Sequence, residues 1–283
     1  MKKRILAWCL CLLLLGLTAC SQQETTTPKQ EATEAPETEE PGMPKELQSC
    51  TIQAGLVDPL LFSVSDTATF TKEITGKAYL FLADDTSVKD TFNSFVYLAI
   101  LYDKTVLLKS LDVYALGGDV SAGDLDGDGD CEMLLHLVAG ATGGAGSYDT
   151  RVVDLQGEQF VELFNFYGFD TGYSVELLQD RKYRITNRFT GYSAEFSRNV
   201  EDDAYFDHWY DADGTIQEQE LLVDSFFACE FLEPPGGGVY ELSIRQYTSL
   251  VGHSDYIGDA VSVLTYDEET KTFQVTQASF DPQ

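Results

Sequence analysis

Basic residues are scarce in this sequence. Its 283 residues include 18 Lys and Arg against 47 Asp and Glu, which gives a formal net charge of -29 at pH 7. A chain this acidic is repelled by phosphate backbones and by anionic lipid headgroups. The composition therefore argues against nucleic acid as a partner and against unaided docking on an anionic membrane.

The sequence also lacks the short motifs of the common catalytic sites. It has no Gly-x-Ser-x-Gly elbow, no phosphate-binding loop with its Lys, and no Cys-x-x-Cys pair. Its three histidines, His136, His208 and His253, are far apart and do not argue for a zinc site. We therefore expect a protein without catalytic activity. The alternative is a hydrolase of cell-envelope polysaccharide or peptidoglycan, because the geometry of its paired carboxylates depends on the fold.

The N-terminus has the pattern of a secretory signal peptide. Basic residues 2–4 precede an apolar run, Ile5–Leu17, which is too short for a good membrane span. The following Leu17-Thr18-Ala19-Cys20 resembles the bacterial lipobox. This resemblance implies that residues 1–19 are a signal peptide, that cleavage occurs before Cys20, and that the Cys20 sulfur is lipidated. A simple secretory signal is the alternative.

Lipidation would place the protein in the bacterial cell envelope. Several acyl chains on one residue anchor a protein stably, whereas a single chain is marginal. We expect the protein on the outer side of the cytoplasmic membrane, or on the outer membrane of a bacterium that has one. Its partner there is the membrane, through the lipid anchor.

Residues 20–49 are predicted to form a disordered, acidic tether after the lipidated Cys20. This segment is rich in Thr, Glu, Gln and Pro and has no aromatic residue, so it cannot bury enough surface to fold. Residues 50–283 are predicted to be the folded domain. Cys50, Cys131 and Cys229 remain there, an odd number. Free buried cysteines are expected, with a Cys50–Cys229 disulfide as the alternative.

Short apolar and aromatic runs recur through residues 50–283. Examples are Lys77–Leu82, Phe95–Leu101 and Glu132–Val138, separated by turns that contain Asp or Gly. No long amphipathic helical pattern interrupts them. Regularly spaced short strands are typical of an all-β propeller, barrel or sandwich.

The most distinctive stretch is the acidic loop Gly123–Glu132. Its carboxylates repel one another, and a cation among them would relieve that repulsion. Hard oxygen ligands around a glycine turn suit Ca²⁺. The predicted ligands are the side chains of Asp124, Asp126, Asp128 and Glu132 and the backbone carbonyl of Asp130. A metal-free acidic turn is the alternative, since Asp and Gly are ordinary turn residues.

This loop does not continue as an EF-hand does. An EF-hand carries a bidentate Glu at position 12 and continues as a helix. Counting from Asp124, position 12 is Leu135, within an apolar run that predicts a buried strand. A structural calcium ion is therefore expected rather than a calcium switch.

The acidic loop resembles the calcium loop of FG-GAP/VCBS-type repeats, which occur in the integrin α-chain propeller and in bacterial surface proteins. The resemblance covers residues 117–164 and is weak elsewhere. It implies that the loop joins two strands of one blade and that calcium rigidifies it. Only one full acidic loop is present, whereas integrin-like propellers repeat it. The expected fold is an irregular or incomplete β-propeller-like domain with about five blades, with a β-sandwich or barrel as the alternative.

An aromatic cluster suggests a binding surface. Tyr205, Phe206, Trp209 and Tyr210 lie close together in a polar, turn-like region. Such side chains can stack on sugar rings or anchor a protein partner, or they can fill the space between blades.

Together these features predict a lipid-anchored binding or scaffolding protein of the cell surface. Its ligand, a protein or a glycan, is not identified by the sequence. The alternatives are the envelope hydrolase and an accessory or sensor subunit of an envelope complex.

Overall fold

The computed structural model describes residues 42–87, 94–140, 147–179, 182–197, 222–234, 236–249 and 256–283. Within these ranges, no helix has both the length and the apolar composition that a membrane crossing requires.

One helix precedes sixteen strands in the described residues. The helix α1 is Lys45–Gln53. The strands are β1 (Leu56–Val64), β2 (Ala68–Thr71), β3 (Ile74–Asp85), β4 (Phe95–Tyr102), β5 (Thr105–Tyr114), β6 (Gly117–Gly123), β7 (Glu132–Gly140), β8 (Ser147–Gln156), β9 (Gln159–Asn165), β10 (Tyr173–Leu178), β11 (Lys182–Asn187), β12 (Ser193–Ser197), β13 (Leu222–Leu232), β14 (Glu241–Ser249), β15 (Tyr256–Asp267) and β16 (Thr272–Pro282). The prediction of an all-β domain is confirmed.

The described strands form four antiparallel sheets. The first sheet has the order β1-β3-β4-β5, with β2 paired to β3; the second is β6–β9, the third β10–β12 and the fourth β13–β16. Apart from β1 beside β3, each strand pairs with its neighbour in sequence, as short hairpin connections require. None of these sheets closes on itself, so the described strands do not form a barrel.

Helix α1 lies at the beginning of the described chain. It follows Pro44, whose φ of -56° suits the position before a helix. Leu47 is fully buried and packs with Phe81 and Tyr97 of the first sheet. The helix therefore begins within the segment predicted as a tether, five residues before the expected domain start at Cys50.

Strand β7 is buried on both faces. Met133, Leu135 and Leu137 belong to a core shared by the first and second sheets. Leu134, on the opposite face, belongs to a core that also contains Leu242 of the fourth sheet. Because successive side chains alternate between faces, a strand between two cores needs a continuous apolar run, which is what the sequence has.

The order in which the sheets pack differs from their order in the chain. The fourth sheet shares one core with the second sheet. It shares another core with the third sheet, in which Ile185 meets Ile257 and Phe280. The fourth sheet thus contacts both the second and the third.

The three cysteines of the described chain, Cys50, Cys131 and Cys229, are free. The Cys50–Cys229 disulfide is therefore not formed in this structure. Burial raises the pKa of each thiol, which makes them poor nucleophiles.

Candidate functional site

The acidic loop connects β6 to β7 of the second sheet. Asp124, Asp126 and Asp128 each direct one carboxylate oxygen into a common group, in which these oxygens lie within 4.8 Å of one another. Three of the predicted metal ligands are thus brought together. The Glu132 carboxylate is not part of the group, and Asp130 is predicted to contribute its backbone carbonyl rather than its side chain.

Hydrogen bonds within the loop fix the positions of these carboxylates. Asp124 accepts N–H donors from Gly127 at 2.6 Å and from Gly129 at 3.1 Å. Asp126 accepts from the backbone of Asp128 at 3.2 Å. Gly127 and Gly129 have φ of 84° and 91°, a region in which a side chain is strained. The glycines therefore allow the loop to turn its N–H groups towards the acids.

Glu132 has a different role from the other acids of the loop, which are half-buried or exposed. It is only 3 % exposed, and its Oε2 accepts the backbone N–H of Leu125 at 2.7 Å. Leu125 is itself buried in the core between the second and fourth sheets. Glu132 thus holds the start of the loop against the core, beneath the group of aspartates.

Negative charge predominates in the loop, although the nearby charge of Lys72 opposes the rise in the pKa of Asp130 that burial causes. None of the ion pairs within the described part of the chain includes an acid of this loop. Burial raises the pKa of Asp126, and the neighbouring charges of Asp128 and Asp124 raise it further. Burial also raises the pKa of Glu132 to about 8, with added repulsion from Asp126 and Asp154. An all-oxygen donor set with excess negative charge fits a hard divalent cation such as Ca²⁺.

The acidic loop also contacts the fourth sheet, directly before β14. The backbone N–H of Tyr240 donates to the carbonyl of Asp124 at 2.7 Å. A Cβ on Gly127 would lie 2.8 Å from Val239, and one on Gly123 would lie 3.0 Å from Phe231. A change in the loop's conformation would therefore alter the contact between the second and fourth sheets.

Without calcium, the domain is expected to lose stability as the pH rises. The pKa of Glu132 is about 8 in the folded state and 4.5 for an ordinary glutamate. Between these values the folded state keeps a proton that the unfolded state has released. This stabilisation is complete below pH 4.5 and is lost as the pH rises through about 8. Over this range the free energy of unfolding falls by at most about 1.4 kcal/mol per pH unit. Urea unfolding in the presence of a chelator measures it.

Glu132→Gln is the matched control for this pH series. The amide oxygen still accepts the Leu125 N–H, but the side chain no longer titrates. Because both proteins carry the same other acids, the difference between their pH profiles isolates Glu132. Parallel profiles would contradict the assigned role of its buried carboxyl group.

His136 lies in the core, next to an aromatic cleft. Its Nδ1 is 2.8 Å from Thr150 Oγ1, and its ring stacks on Tyr148 with centroids 4.8 Å apart. Burial lowers the pKa of His136. The side chain is thus a neutral, packed group, as expected for a histidine within an apolar strand.

The cleft next to His136 has a volume of about 340 Å³ and was not found from the sequence. It is bounded by β8, by the loop after β9, and by β13 and β14. The residues that line it are Ser147, Tyr148, Thr150, Phe166, Tyr167, Gly168, Phe169, Val223, Phe226 and Gln246. The aromatic run Phe164–Phe169 was the sequence signal that could have indicated this cleft, but its pattern predicted only the end of a strand.

The remaining predicted site residues lie outside the described part of the chain. They are the lipidation site Cys20 and the aromatic residues Tyr205, Phe206, Trp209 and Tyr210. Both assignments stay predictions.

Comparison with known proteins shows a similarity in the C-terminal part of the chain. No curated protein matches the sequence. The acidic loop lies outside the matched segment, so its resemblance to FG-GAP/VCBS repeats stays a prediction. Residues 171–280, which include the third sheet and most of the fourth, are similar to a family described as the YybI C-terminal domain.

Proposed function

We propose that this protein is a lipid-anchored binding protein of the bacterial cell envelope, with a folded domain that a structural calcium ion stabilises. The lipobox-like sequence at Cys20 supports the anchor. The acidic loop supports calcium, and the lack of catalytic motifs supports binding rather than turnover.

The observation that carries the calcium assignment is the grouping of Asp124, Asp126 and Asp128 in a loop that contacts a second sheet. When bound, calcium would supply positive charge to these three carboxylates. Residues of the chain itself make the other contacts that hold the loop in place. The Asp124 carbonyl receives the Tyr240 N–H, Leu125 fills the core below, and Glu132 holds the Leu125 backbone. A rigid loop therefore favours one arrangement of the second and fourth sheets.

For the fold, we propose an irregular propeller-like arrangement of the sheets. The β6–β9 and β13–β16 sheets are four-stranded antiparallel meanders, which is the form of a propeller blade. The packing of the fourth sheet on both the second and the third supports an irregular stack over a regular ring. The number of blades stays a prediction.

Binding is supported over hydrolysis by the chemistry of the aromatic cleft. Glycoside hydrolysis uses two carboxyl groups that face one sugar linkage. The side chains described around the cleft are aromatic, aliphatic, hydroxyl or amide groups. Such a lining suits the recognition of a ligand.

Membrane attachment can be tested by changing one cysteine. Cys20→Ser is expected to move most of the protein from the membrane fraction to the medium or periplasm, because the sulfur that carries the first lipid is gone. Immunoblots of fractionated cells measure the distribution. Cys50→Ser, which removes a different thiol, should stay with the membrane. Membrane retention of Cys20→Ser equal to that of the wild type would refute the lipid anchor.

A further inference from the structure

We propose that the aromatic cleft binds a neutral saccharide of one or two sugar rings. This inference rests on the proposed function as an envelope binding protein, and it names the class of ligand. The cleft is assembled from β8, the loop after β9, and strands β13 and β14. Its volume of about 340 Å³ lies at the lower end of small-molecule sites, which start at roughly 300 Å³.

The aromatic wall of the cleft is held rigidly. Phe166 packs edge-on against Phe169 and Phe226, with ring centroids 5.4 and 5.7 Å apart, and it is 4 % exposed. These rings also belong to the core between the second and fourth sheets. Their orientation is therefore set before any ligand arrives, which reduces the entropic cost of binding.

Tyr167 extends from the same loop into solvent. It is 96 % exposed, although a large aromatic side chain normally gains from packing against other groups. It lies between Phe166 and Phe169 in the chain and is one of the residues that line the cleft, so its exposed ring is on the solvent side of the cleft. An aromatic ring there can cover the apolar face of a sugar and direct its own hydroxyl group to the sugar's edge.

The polar groups of the cleft are neutral and already oriented. Thr150 is 3 % exposed and its hydroxyl pairs with His136. Gln246 is 6 % exposed, and the Thr171 hydroxyl donates to its Oε1 at 2.5 Å. A hydroxyl and an amide can each donate and accept hydrogen bonds. They suit the alternating donor and acceptor character of sugar hydroxyl groups.

Charge selects among the possible sugars. No charged side chain belongs to the described lining of the cleft, and the chain's formal net charge is -29. An anionic sugar would meet long-range repulsion and find no positive partner in this lining. A neutral ring offers apolar C–H faces to the aromatic wall and hydroxyl groups to Thr150 and Gln246. These two properties together match a neutral saccharide.

Isothermal titration of the folded protein in calcium-containing buffer tests this inference. The probes are cellobiose, maltose, lactose and chitobiose, with the hyaluronan disaccharide as the anionic comparison. We expect one or more neutral disaccharides to bind and the anionic one not to bind. Tyr167→Ala should weaken the binding at least about fivefold, because the exposed ring contributes contact area to the ligand and little to the fold.

Tyr114→Ala is the matched control. Tyr114 is also exposed, at 44 %, but it lies at the end of β5 in the first sheet. The Tyr114→Ala variant should bind the neutral disaccharide with the affinity of the wild type. The melting temperatures of Tyr167→Ala and Tyr114→Ala verify that both variants fold. The inference is overturned if no neutral disaccharide binds, if the anionic one binds equally well, or if Tyr167→Ala binds as the wild type does.

A further readout separates this inference from the proposed function. Release of reducing ends from a bound disaccharide would refute the role as a binding protein and favour the hydrolase. Absence of saccharide binding with membrane attachment through Cys20 intact would refute only the ligand class.

Discussion

Millimolar calcium is expected to raise the melting temperature of the folded domain by about 5–10 °C. Binding to the folded state alone stabilises a protein by about 2.7 kcal/mol when the ion is at a hundred times its Kd. For a domain of this size, each kcal/mol shifts Tm by roughly 2–4 °C. The Asp126→Ala/Asp128→Ala variant should lose this increase, because it removes two of the three grouped carboxylates. Differential scanning calorimetry in calcium and in chelator measures both.

The control for this experiment removes two acids elsewhere. Asp66 and Glu158 are exposed and lie outside the acidic loop, so Asp66→Ala/Glu158→Ala should keep the full response to calcium. Identical melting curves of the wild-type protein in calcium and in chelator would refute the metal assignment. A calcium response that survives in Asp126→Ala/Asp128→Ala would place the ion elsewhere.

Truncation of either leucine at the centre of β7 is expected to lower the free energy of unfolding by about 2–5 kcal/mol, the usual cost of a cavity left by Leu→Ala in a core. Leu134 is 1 % exposed and faces the core shared with the fourth sheet. Leu135 is fully buried and faces the core shared with the first sheet. Urea unfolding of Leu134→Ala and of Leu135→Ala measures the two losses separately.

Leu60→Ala provides the comparison for both variants. Leu60 is 59 % exposed, so the change should cost no more than about 0.5 kcal/mol. Losses for Leu134→Ala or Leu135→Ala as small as that of Leu60→Ala would contradict the burial of β7 on both faces.

Local patterns in the sequence were sufficient to predict many of the strands, though not β1, β2 or β6. The apolar run after Glu132 was predicted as a buried strand, and β7 spans Glu132–Gly140. The predicted runs Lys77–Leu82 and Phe95–Leu101 lie within β3 and β4. Alternation of side chains fixes the face on which each residue lies, but it does not identify the sheet that covers that face. The packing of the fourth sheet on the second therefore could not be predicted.

The sequence pattern did not predict helix α1, and the reason is physical. Only Leu47 and Thr51 of α1 are buried, so the segment shows no apolar stripe that would predict a packed helix. Its composition continues that of the predicted tether, whereas its position is decided by the cavity that Leu47 fills against the first sheet. Such tertiary contacts override weak local propensity.

The candidate sites differ in how far apart in the sequence their residues lie. The grouping of Asp124, Asp126 and Asp128 was predictable because short-range spacing and glycine turns determine it. The contact of the loop with Tyr240 was not predictable, since the two segments are far apart in the chain. The aromatic cleft combines four separate segments, and no single motif marks it.

The hydrogen bond from Tyr240 to Asp124 has a kinetic consequence. It joins two segments that are far apart in the chain, and closing so long a loop is entropically costly and slow. We therefore expect the acidic loop to take its final form late in folding. An ion that binds only this final form slows unfolding and leaves the folding rate almost unchanged. On this basis, calcium would chiefly lengthen the lifetime of the folded domain.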